Sequence, residues 1–221
     1  MQTLERKSLM NEKKYLIIYA ILFIAAIVGH SIPSVLPYML KLTPFFLLAI
    51  NGLALFSIRE EKNLRLLGWC ILFFTVSILF EILGVKTGFV FGQYIYGNTL
   101  GFKLFGVPLI TALNWTLVIA GIANIFEERN MGSLEMFMIA VGVCAVFFDS
   151  ILEPVAVKCG YRLWLDSIIP MHNYYSRFII SALGAMLIKL LKVKFNSGLL
   201  WKYIAMQTIY FICLRIILVP R

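Results

Sequence analysis

The apolar positions of this chain run in long unbroken blocks rather than alternating with polar ones, and short segments rich in charge, proline or glycine close each block. Such blocks predict membrane-spanning helices, because a hydrocarbon core of about 30 Å takes roughly 20 apolar residues per helix. About seven blocks can be drawn, at 15–32, 36–57, 64–84, 104–126, 134–157, 171–193 and 199–219. Pro33, Pro37 and Pro44 mark the first connection and the start of the second helix, where proline is tolerated. The pattern predicts an all-α polytopic transmembrane bundle. It forms one integral membrane domain over residues 1–221, with 1–14 as a basic cytoplasmic segment.

Composition agrees with that pattern. The chain is 61% hydrophobic and only 14% charged, and its mean hydropathy of +0.90 excludes an ordinary water-soluble globule. The first block follows basic residues as a secretory signal would, but "GHSIPSVLP" offers no convincing small-residue cleavage site, so it is read as a retained helix. Four cysteines, Cys70, Cys144, Cys159 and Cys213, have no Cys-x-x-Cys spacing and read as packing residues.

The net charge of +9 would point to nucleic acid in a soluble protein. In a membrane chain it is read loop by loop. Arg6, Lys7, Lys13 and Lys14 precede the first span, Arg59, Lys62 and Arg65 follow the second, and Lys189, Lys192, Lys194 and Lys202 surround the last connection. These segments alternate as a cytoplasmic N-terminus requires, in an inner or plasma membrane. The opposite side holds mainly Lys86, Lys103, Lys158 and Arg162. The basic face is assigned to solvent and lipid headgroups, with no nucleic-acid partner.

With that orientation, the ionisable residues of the spans gather at one depth. Glu81 lies in the last turn of the third span, near the headgroups, and Asp149 and Glu153 in the outer half of the fifth. His172, Asn173, Ser176 and Arg177 occupy the outer turns of the sixth, and His30 ends the first. Asp149 and Glu153 are four residues apart, which on a helix puts them on one face. A charge in mid-bilayer costs about 2.5–3.5 kcal/mol on insertion scales, so these carboxyls are expected to turn inward, pair, or stay protonated. The last condition is what a general acid needs. The alternative is a structural role, in which they pair with Arg177 or with helix ends.

Between the third and fourth blocks lies "EILGVKTGFVFGQYIYGNTLGFKLFGVPL". Its glycines recur too often for a buried helix, and Phe91, Tyr94, Tyr96 and Phe102 interleave with them. A re-entrant or lid-like loop over the bundle fits this composition; a hairpin at the interface fits it as well. The segment "GYRLWLD", with Tyr161, Trp164 and Asp166, is a candidate second wall.

Several chemistries do not fit. A histidine-rich diiron oxygenase needs many imidazoles, and the chain has only His30 and His172. These two lack ligand spacing, so no metal site is assigned. A retinal Schiff base needs a mid-span lysine in the last helix, whereas Lys202 is at its start. A prenyltransferase needs paired Asp-rich motifs, of which "DSILE" is at most one half.

Taken together, the Gly/aromatic loop, Trp115, "DSILEPVAVKCGYRLWLD" and "IPMHNYYSRF" resemble the carotenoid biosynthesis protein family of membrane hydratases, the CruF type. The resemblance covers roughly residues 65–185 in order, through Glu-x-x-Gly-x-x-Thr-Gly, Phe-Gly-x-Tyr-x-Tyr and Asp-x-x-x-Glu-Pro. It implies hydration of the terminal double bond of an acyclic carotenoid end, as in lycopene or γ-carotene, without a cofactor. The polyene would come from the lipid bilayer. Asp149 or Glu153 would then be the acid, with the other, or Glu81, positioning water. Tyr94, Tyr96, Trp115 and Tyr174 would line a cation-stabilising wall, with Trp164 in the second outer loop, while Asn114 and Asn173 would orient carboxyls or water. Arg177 stands where that family commonly has an aromatic residue, and a permanent cation there favours an ionised neighbour. From a different class, the same carboxyls would serve a carrier, binding protein or proton-coupled transporter for a hydrophobic isoprenoid.

Overall fold

The computed structural model describes residues 2–128, 133–166 and 168–219. Among these residues are seven helices: α1 (Gln2–Ser31), α2 (Leu36–Glu60), α3 (Leu64–Thr87), α4 (Leu109–Glu128), α5 (Leu134–Lys158), α6 (Met171–Leu190) and α7 (Leu199–Leu218). Six contain a stretch long and apolar enough to cross a membrane, so the protein is an integral membrane protein with an all-α bundle. The exception is α6, whose first turns carry His172, Asn173, Ser176 and Arg177.

The helix ends follow from local sequence. Asn63 and Ser133 cap α3 and α5, their side chains accepting from the Leu66 and Met136 amides at 3.2 Å each. Pro37 sits in the first turn of α2. Pro154, inside α5, cannot donate to the Ser150 carbonyl one turn back, and Arg215 of α7 donates to that oxygen instead, at 2.8 Å.

The central helix is α4, with 67% of its span buried. It packs against α3, α5 and α7, while α1 closes against α7 and α6 against α5. At the α4–α7 crossing a Cβ on Gly121 would run into Ile204 and the Leu200 carbonyl, so only glycine allows that approach.

The fourth helix starts at Leu109, not at 104 as its apolar block predicts. Residues before it form a tight hairpin of β2 (Lys103–Leu104) and β3 (Val107–Pro108). Phe105 and Gly106 between them have φ values of 49° and 87°, as expected for a turn with two left-handed residues. Hydropathy alone cannot separate that short apolar hairpin from the helix that follows.

The long glycine-rich connection folds over one end of the bundle as a lid. Its strand β1 (Tyr94–Tyr96) pairs antiparallel with β4 (Arg162–Trp164), with Tyr94 opposite Trp164 and Tyr96 opposite Arg162. The strands alternate, so Tyr94, Tyr96, Arg162 and Trp164 point into the protein while Ile95 and Leu163 point out. The loops nearly touch at Gly97, whose amide donates to the Tyr161 carbonyl at 3.1 Å. A Cβ there would collide with the Gly160 carbonyl oxygen.

Candidate functional site

Under this lid the bundle buries three carboxyls and two guanidiniums, those of Glu81, Asp149, Glu153, Arg162 and Arg177, each at most 3% exposed. They come from α3, α5, β4 and α6. The structure brings Glu81, Asp149, Glu153, Asn173 and Arg177 together in one cluster. Glu81, placed by sequence near the headgroups, is enclosed at 1% exposure.

Glu81 is saturated. Its Oε2 accepts from the Tyr94 and Tyr96 hydroxyls at 2.7 Å each and from Arg162 at 3.3 Å. Its Oε1 accepts from both Nη atoms of Arg177 at 3.3 Å. Burial pushes the phenols of Tyr94 and Tyr96 well above their ordinary range, so both remain neutral donors.

Arg162 is the hub. It donates to Glu153 Oε1 at 2.6 Å, to Tyr96 at 2.6 Å and to Glu81. Its guanidinium lies 4.4 Å from the ring centre of Tyr94, 5.1 Å from that of Tyr96 and 5.5 Å from that of Trp164. Desolvation alone would lower its pKa, but Glu153, then Tyr96 and Glu81, hold it well above the usual value. By sequence Arg162 falls among the solvent-side cations; the structure instead buries it at the centre of the cluster. The signal available was the two-residue spacing of Arg162 and Trp164, which matches that of Tyr94 and Tyr96.

Glu153 is held on both oxygens, by Arg162 and by the Trp164 indole at 3.1 Å. Asp149, one turn earlier on the same face, is held less. Its Oδ2 accepts from Asn173 at 2.6 Å, while its Oδ1 stands 3.7 Å from Arg177 Nε as an ion pair. Asp149 Oδ1, Asn173 Oδ1 and Arg177 Nε make no hydrogen bond among the described residues. With all five groups charged, the cluster carries one excess negative charge.

Beneath the cluster, α2, α4, α5 and α7 line a cleft that is open at its mouth. Glu153 and Arg162 reach its wall, with Tyr96, Asn114 and Trp115 beside them. The far side is aromatic, from Phe46, Tyr210 and Phe211. Asp149 and Glu81 are behind this wall. Trp115 joins the two regions, because its ring lies 3.8 Å beneath the Arg177 guanidinium. Asn114 accepts from Gln207 at 2.7 Å. Tyr174 is half-buried on α6 and lies outside the residues lining the cleft. His30 is buried against the Ala26 carbonyl, and His172 is exposed beside Phe89. Among the described residues, no three His, Cys, Asp or Glu side chains form a group suited to a metal ion.

The cleft is thus apolar and aromatic, with one buried carboxyl and its guanidinium partner at the wall. Such a surface suits a hydrocarbon group. No curated protein and no solved structure matches the chain. A family model described as carotenoid biosynthesis protein matches residues 41–219, and the chain belongs to that family.

Proposed function

We propose that the protein hydrates the terminal carbon–carbon double bond of an acyclic carotenoid end group, as a hydro-lyase that uses no cofactor. The observation that carries this reading is the carboxyl pair on α5: Glu153 on the cleft wall, and Asp149 one turn behind it with an oxygen free of hydrogen bonds. Family membership supports the pigment class.

The charge count supports the acid. Two guanidiniums balance two carboxylates, and a third carboxyl can hold a proton with the buried cluster neutral. Glu81 faces two guanidiniums and two phenols and stays an anion. Glu153 is ion-paired to Arg162 at 2.6 Å, whereas Asp149 keeps an oxygen free of hydrogen bonds among the described residues, so the proton is held at Asp149 and reaches the cleft by way of Glu153 on its wall.

The reaction balances within the cleft. A carboxyl proton moves to the less substituted alkene carbon, and the π pair forms the new C–H bond. The adjacent carbon becomes a tertiary cation, faced by Trp115, Tyr96 and Phe211, whose rings stabilise it by up to about 2 kcal/mol when desolvated. Water adds to the cation and its proton returns to the carboxyl pair, so the product is a tertiary alcohol and no electrons are exchanged. Asn114, on the cleft wall, orients the water, and Asn173, which donates to Asp149 at 2.6 Å, holds that carboxyl.

The polyene is drawn from the bilayer of an inner or plasma membrane, with lipid on all sides of the bundle. The basic loops support a cytoplasmic N-terminus and a lid on the opposite face. The direct test is to incubate reconstituted protein with an acyclic carotenoid in isotope-labelled water. A tertiary alcohol carrying the labelled oxygen is expected; tight carotenoid binding with no alcohol would establish a carrier instead.

A further inference from the structure

A second cavity lies on the outside of the bundle, bounded by α2, α3, α4 and the lid. It is an open groove, and every side chain on it is apolar, among them Pro44, Leu48, Phe74, Leu109 and Leu113. Its relation to the cleft follows from sequence neighbours. On α2, Thr43 and Leu47 face the cleft while Pro44 and Leu48 face the groove. On α4, Thr111 and Asn114 face the cleft while Ile110 and Leu113 face the groove. Leu100 is on the wall of both.

We propose that this groove is the binding site for the linear polyisoprenoid shaft of the substrate, and that Leu100 is the side chain the shaft passes on its way into the cleft. This rests on the hydration reading, because it assigns the remainder of the same substrate. An isoprenoid chain is far longer than its reacting end and dissolves in lipid, so a site that takes the end must leave a hydrocarbon path outward. The groove is that path: apolar throughout, open sideways, and separated from the cleft by Leu100. The Leu100 segment of the wall is anchored. Leu100 ends a short 3-10 turn (Asn98–Leu100), and Thr99 ties this turn to the Cys159 and Gly160 carbonyls at 3.3 Å each. Gly101 follows at φ +78°, a left-handed value, and its missing side chain keeps the Pro44 ring clear.

The test uses the full protein in nanodiscs and a linear polyisoprenoid hydrocarbon with an isopropylidene group at one end and a diazirine on the shaft a few bonds from it. Photolabelling should fall on the Leu48 and Leu109–Leu113 segments and resist an excess of phospholipid. Leu100→Trp should cut it about tenfold, and Leu113→Trp, away from the lid, should do the same if the first variant folds poorly. Ile216→Trp, on the exposed face of α7, should leave it unchanged. Labelling that phospholipid competes away would make the groove a lipid acyl site, and labelling unaffected by both tryptophans would overturn the path. Labelling needs no chemistry, so groove labelling without alcohol formation would defeat the hydratase reading alone.

Discussion

Arg162 and Tyr96 stand directly opposite each other in the β1–β4 ladder, and the guanidinium donates to the phenol oxygen at 2.6 Å. That phenol donates in turn to Glu81 at 2.7 Å. A strand register in the lid thus fixes the polar centre of the bundle, and removing either partner disturbs lid and site together.

Arg162→Met is expected to leave Glu81 and Glu153 short of a buried counter-charge and to destabilise the fold by about 3–5 kcal/mol. Arg162→Lys keeps the charge but cannot fork to Glu153, Tyr96 and Glu81 at once, so it should be milder. Thermal unfolding in detergent checks the order; equal stability of Arg162→Met and wild type would remove Arg162 from the centre of the account.

Gly97→Ala should separate the lid from the loop that follows α5, because its methyl group has no room beside the Gly160 carbonyl. The expected cost is about 1–3 kcal/mol, with new protease cleavage between residues 88 and 108. An alanine variant as resistant as wild type would show that the loops do not need this approach.

Arg215→Met should cost about 0.5–1.5 kcal/mol, since it removes the donor to the Ser150 carbonyl left open by Pro154. In a Pro154→Ala background the helix supplies its own amide, and the same change should cost little. A double-mutant cycle measures the difference; additive effects would mean that Arg215 does not stand in for the missing amide.

How much of this could be read in the sequence depends on which physical cost wrote it. The helices were legible because bilayer thickness sets the length of each apolar block. Glu81, Asp149 and Glu153 stood out because a carboxyl inside such a block is expensive. Arg162 carried no such mark, since it lies in a polar connection among other basic residues. Its burial comes from strands of three residues each, too short to show a period, and the Arg162–Tyr96 partners are 66 positions apart. The start of α4 was blurred for the opposite reason, because its preceding hairpin is as apolar as a helix. Tyr174 has the right chemistry for a cation wall, but it lies away from the cleft.

Glu81 and Glu153 separate structure from chemistry. Glu81→Gln removes the anion shared by Arg162 and Arg177 and should lower stability by about 3–5 kcal/mol. Glu153→Gln keeps an acceptor for Arg162 but cannot deliver a proton, so it should insert normally and make no alcohol. If Glu153→Gln stays active while Asp149→Asn is dead and folded, Asp149 delivers the proton without Glu153.

Hydration of the end group is read out by producing wild type, Glu153→Gln and Asp149→Asn in cells that accumulate lycopene and separating the extracted pigments by chromatography and mass spectrometry. Wild type should yield a more polar pigment heavier by water, and Glu153→Gln should yield none at equal membrane levels. Lycopene left unchanged by well-inserted wild-type protein would contradict hydration of this end group and favour an isoprenoid carrier.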